Sequence, residues 1–86
     1  YIANYTPNSV SLCNVNSSTG VLSGCTTTGS GFNNPVDIFI NNSYAYITNN
    51  GNNTVSLCNV NSSTGVLSGC TTTGSGFNGA FGIWLQ

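Results

Sequence analysis

The sequence predicts an all-β protein made of two four-stranded antiparallel repeats, and three observations predict it. First, shifting the chain by 45 places superimposes Val10 to Asn33 on Val55 to Asn78, 24 residues without a mismatch. The repeat divides the chain into units 1–45 and 46–86, and a period of this length with several short strands per unit belongs to repeat architectures built from sheets. Second, no segment carries a 3.6-residue apolar period, and the strong helix formers Glu, Lys, Arg and Met are absent. Third, short β-branched and aromatic runs alternate with clusters of Asn, Ser and Gly, the pattern of strands separated by turns.

Within a unit the elements follow in order. Val36-Asp37-Ile38-Phe39-Ile40 is short and mostly apolar, and Asn41-Asn42-Ser43 breaks it. Tyr44-Ala45-Tyr46-Ile47-Thr48 resumes strand character. The Asn-Gly pair inside Asn49 to Asn53 suits positive φ and leads into Thr54 to Val60, the third strand. Asn61-Ser62-Ser63-Thr64-Gly65 then supplies a hairpin turn, with Gly65 in the left-handed position closing a three-residue loop. Val66 to Thr73 forms the fourth strand. A four-stranded meander with so few large apolar residues cannot stand alone in water, so its faces need covering. Apolar residues of both parities, as in Ile38, Phe39 and Ile40, fit a sheet covered on both sides.

Tyr46-Ile47-Thr48-Asn49, Asn53-Thr54-Val55-Ser56-Leu57 and Gly79-Ala80-Phe81-Gly82-Ile83 together resemble the YVTN-type β-propeller repeat. The resemblance runs through nearly the whole chain, once per unit. It implies two propeller-blade-like repeats, each packing on the next. Cys58 stands where that family tends to an apolar residue, and two units are fewer than the four to eight of a closed propeller. The resemblance implies little about activity.

Four cysteines with no His and no closely spaced Cys pair read as disulfides rather than zinc ligands, and so as an oxidising, extracellular setting. If Gly20 closes a three-residue loop, Ser17 faces Val21, and walking outward sets Cys13 opposite Cys25; the repeat then sets Cys58 opposite Cys70. Directly opposed strand residues lie within reach of a disulfide. Bridges between the repeats are the alternative connectivity.

Composition excludes most activities. The chain has no Lys, Arg or His and a single carboxylate, Asp37. Nucleic acid and anionic membranes therefore lack their usual cationic partner. General acid/base catalysis lacks a pair of groups, so no catalytic residue and no enzyme is expected. No metal site or cofactor is expected either, since Asp37 with amide carbonyls gives too little negative charge for a tight cation site. No apolar run approaches the length of a membrane span. The chain opens on Tyr1 rather than Met, which reads as a processed product or a segment of a longer chain.

Asn, Ser and Thr supply 38 of the 86 residues. Five sequons occur, at Asn4, Asn16, Asn41, Asn52 and Asn61, against about four expected from composition. Their turn placement makes them candidates for N-linked glycans, and the runs Thr26, Thr27, Thr28 and Thr71, Thr72, Thr73 are candidates for O-linked sugars. Trp84, Tyr1 and Tyr46 are the aromatic residues a sugar-binding protein would use for stacking, although Trp84 sits at the repeat position of Phe39 and reads first as packing. Each end of the chain lacks what the other end supplies, and a net charge of -1 leaves association unopposed. The expected partner is a copy of the same chain, head to tail, in an extracellular fibre or surface coat. The alternative is a ring-forming lectin of two-blade subunits.

Overall fold

The computed structural model describes residues 1–79 and 82–83, and no helix occurs among them. Seven strands do: β1 (Ile2–Asn4), β2 (Ser9–Val15), β3 (Leu22–Thr28), β4 (Pro35–Asn41), β5 (Tyr44–Asn49), β6 (Thr54–Val60) and β7 (Leu67–Thr73). They form two antiparallel meanders, a three-stranded sheet β1-β2-β3 and a four-stranded sheet β4-β5-β6-β7. The second sheet has the four strands in the order the sequence predicts, and it spans Pro35 to Thr73, across the repeat boundary between residues 45 and 46. The first has three strands, because residues 1–34 contain no equivalent of β4.

The hairpins depart from the expected loop in an instructive way. Asn61 and Val66 form the closing pair, with Asn61 N–H donating to the Val66 carbonyl at 3.0 Å and Gly65 N–H to the Asn61 carbonyl at 2.7 Å. The loop is thus one residue longer than the three expected. The Asn61 Oδ1 accepts from the Ser63 and Thr64 N–H groups at 2.9 and 3.0 Å, an Asx turn that fixes the longer loop. Gly65 takes φ +78°, and Gly20 in the matching hairpin takes φ +76°.

The register is then corrected by a bulge. Val15 pairs with Leu22 and Asn14 with Ser23, but beyond Cys13 the pairing resumes as Leu12 with Thr26. The extra residue is Gly24, at φ +58°, a position glycine occupies without strain. Loop and bulge offset each other, so Cys13 still meets Cys25. Both disulfides form within a repeat, Cys13–Cys25 and Cys58–Cys70, each with Cα atoms 4.0 Å apart. Each ties the last strand of its sheet to the strand beside it, β3 to β2 and β7 to β6, and closes a loop whose chain-entropy contribution is about 3 kcal/mol.

The core lies between the sheets. Val10 from the first sheet and Phe32 from the connecting loop pack against Ala45, Ile47, Cys58 and Leu67 of the second, with Ile38, Val60 and Cys70 at the margin. Asn49 is buried too, although the sequence reads it as a turn residue. Its Nδ2 donates to Ser56 Oγ at 2.9 Å and Thr54 Oγ1 at 3.2 Å, and its Oδ1 accepts from Asn33 N–H at 3.1 Å. Among the described residues no buried side-chain nitrogen or oxygen lacks a partner.

Candidate functional site

Strand pairing sorts the residues of each sheet onto two faces, because directly opposed residues project to the same side. In the first sheet Ala3 pairs with Val10, Val10 with Thr28 and Leu12 with Thr26, and Tyr1 shares their parity. This is the front face. The back face carries Ile2, Ser11, Cys13, Val15, Leu22 and Cys25. Adding 45 gives the same two faces in the second sheet: Tyr46, Thr48, Val55 and Leu57 in front, Ile47, Cys58, Val60 and Leu67 behind.

The front of the first sheet covers the back of the second. The Leu67 N–H donates to Thr28 Oγ1 at 2.7 Å in the buried seam, and the Tyr1 hydroxyl donates to the Gly65 carbonyl at 2.5 Å. A methyl group added at Gly65 would lie 3.3 Å from Leu12 Cδ1 and 3.0 Å from the Tyr1 hydroxyl, so the front-face side chains reach down to the hairpin. One added at Gly29 would lie 3.3 Å from Cys70 Sγ, which seats the second disulfide against the linking loop. Burial at this seam pushes the Tyr1 phenol above its ordinary value.

The two remaining faces carry large apolar residues that are exposed where their repeat equivalents are buried. Leu22 is 50% exposed where Leu67 is 3%, Ile2 is 43% exposed where Ile47 is 0%, and Phe77 is 40% exposed where Phe32 is 7%. Each pair has the same residue at the same repeat position, so the differences come from what lies alongside and not from local sequence. The back of the first sheet is open, and the front of the second is open around Phe77, whereas Thr48 and Val55 on that same front are buried, at 2% and 6% exposure. The two faces are the repeat equivalents of the pair that meets inside the chain.

The candidate glycan positions separate by geometry. Asn16, Asn41, Asn52 and Asn61 are exposed. Asn16 and Asn61 use only Oδ1 in their Asx turns, which leaves the amide nitrogen that carries a glycan pointing outside those bonds. Asn4 differs: its Nδ2 donates to Ser9 Oγ at 3.1 Å and Ser11 Oγ at 2.9 Å, so the nitrogen is committed to the sheet. Thr26, Thr27, Thr71 and Thr72 are exposed and Thr73 is half-buried. Thr28 is buried in the seam with its hydroxyl oxygen accepting from Leu67, which leaves no room for a sugar.

Of the aromatic residues considered for sugar stacking, Tyr1 is tied to Gly65, Tyr46 is half-buried on the front of the second sheet, and Trp84 lies outside the described residues. Asp37 accepts hydrogen bonds from its neighbour Ile38 N–H at 2.8 Å and from the distant Ile83 N–H at 3.3 Å. Among the described residues no group of His, Cys, Asp or Glu could hold a metal ion, and no helix is long and apolar enough to cross a membrane. Two disulfides suit an oxidising compartment. No family model, curated protein or solved structure matches the chain.

Proposed function

We propose that this chain is a structural subunit of an extracellular fibre or surface coat, in which blade-like sheets related to the YVTN-type propeller repeat stack head to tail through the exposed residues of these two faces, Ile2 and Leu22 on one and Phe77 on the other. The observation that carries this reading is the contrast between Leu22 and Leu67, identical in local sequence, one half exposed and the other buried by a neighbouring sheet. The front of one copy's second sheet meets the back of the next copy's first sheet, as the front of the first sheet meets Leu67 inside the chain. The contact is heterologous, so it propagates as a filament unless the rotation closes it. A surface with no cation and one carboxylate offers no like-charge repulsion against such stacking. Disulfides resist unravelling of each unit, and hydroxyls, amides and sugars at Asn16 and Asn61 keep the assembly hydrated.

Electron microscopy of the purified, oxidised chain tests the reading. Extended fibres of uniform width are expected. Closed discs of a few copies would replace the fibre with a ring, and isolated particles of single-chain size would remove the structural role.

A further inference from the structure

The internal seam is a template for the contact between copies, and its details specify which atoms meet there. Resting on the head-to-tail reading, we infer that two hydrogen bonds set the register and polarity of that contact. The Tyr46 hydroxyl of one copy donates to the Gly20 carbonyl of the next, and the Leu22 N–H of the next copy donates to Thr73 Oγ1. These are the equivalents, one repeat on, of Tyr1 to Gly65 and Leu67 to Thr28.

Three observations support this assignment. The receiving hairpin is already in shape: Gly20 and Gly65 share φ values of +76° and +78°, and Asn16 holds its loop as Asn61 does, with Gly20 N–H on the Asn16 carbonyl at 2.7 Å. The space is open on the receiving side. Nothing among the described residues lies within 4 Å of a methyl placed on Gly20, whereas one on Gly65 meets Tyr1 and Leu12. Tyr46 and Leu57 are the repeat equivalents of that pair and stand, half-buried, on the front face of the second sheet, beside the exposed Phe77. The donating side is open in the same way: the methyl on Gly29 meets Cys70 Sγ, while the one on Gly74 meets Phe77 alone among the described residues. Cys25 of the next copy is the sulfur that fits beside Gly74. Unpaired polar groups at a buried seam are costly, so two such bonds penalise every other register.

The test is sedimentation velocity on the oxidised chain across a concentration series, with Tyr46→Phe, Thr73→Val and Gly20→Asn beside the unaltered protein. Tyr46→Phe and Thr73→Val each remove one hydrogen-bond partner, and each is expected to weaken apparent association about tenfold. Asn tolerates the left-handed backbone at position 20, so Gly20→Asn keeps the hairpin while filling the space meant for Tyr46, and association is expected to be lost. Tyr1→Phe, which alters only the internal seam, is the control and leaves association within about twofold. Thermal melts at concentrations where each variant is monomeric verify that it is folded. If the unaltered chain associates and the three variants associate equally well, the two bonds are wrong and the head-to-tail reading survives. If the unaltered chain never associates, that reading fails and this inference falls with it.

Discussion

Leu22 and Leu67 allow an experiment that sequence context cannot confound. Both sit in the segment Gly-Val-Leu-Ser-Gly-Cys-Thr-Thr-Thr, both pair across a hairpin with Val, and both precede a glycine bulge. Strand propensity and unfolded-state effects therefore cancel when the two Leu→Ala substitutions are compared. Leu67 is 3% exposed and belongs to the cluster of Val10, Ile47 and Cys58. Truncating it removes buried carbons and opens a cavity, for which about 3 kcal/mol is the expected cost. In a domain of this size that lowers the melting temperature by about 15 °C. Leu22 is half exposed, and its truncation is expected to cost about 0.5 kcal/mol, or about 3 °C. Far-UV circular dichroism melts of the oxidised chain at dilute, monomeric concentration measure both shifts. Equal shifts, or a larger one at Leu22, would refute the claim that a covering sheet is what separates the two sites.

Other substitutions probe the seam and the staples. Asn49→Leu strands the Asn33 N–H and the Ser56 hydroxyl and is expected to cost about 2 to 4 kcal/mol in a denaturant titration, while Asn4→Leu, at the half-buried equivalent, costs about 1 kcal/mol. Graded reduction with alkylation and peptide mass mapping is expected to modify Cys13 and Cys25 before Cys58 and Cys70, since Cys58 is fully buried and Cys25 exposed; the reverse order would contradict the packing. The Tyr1 phenol has its folded-state value raised above the unfolded one, so its contribution is fully present below about pH 10 and is lost as pH rises through the folded value. Denaturant titrations against pH should show an alkaline fall that is smaller in Tyr1→Phe.

Much of the architecture was legible because the repeat and the turn residues carry it. The strand expected over Thr54 to Val60 is β6, and those expected over Tyr44 to Thr48 and Val66 to Thr73 match β5 and β7 to within a residue at either end. The hairpin loop has one residue more than the sequence predicts, since Gly at the left-handed position fits both loop lengths and only the Asx turn at Asn61 decides between them. The compensating bulge had a signal, Gly69 inside an otherwise extended run, and glycine in a strand interior marks such a site. Asn49 was hidden because a buried amide and a turn amide look alike until Thr54 and Ser56 are seen to align beside it. The uncovered faces were beyond reach of the sequence for a plain reason. The two repeats are identical where it matters, and only the position of one sheet against the other distinguishes Leu22 from Leu67.

The most direct test of stacking is the weight-average mass of the oxidised, sugar-free chain as its concentration rises. Head-to-tail docking predicts a mass that climbs continuously above 8.8 kDa, with Leu22→Ala suppressing the climb. A constant mass of 8.8 kDa into the millimolar range, from a chain that melts cooperatively, would contradict it.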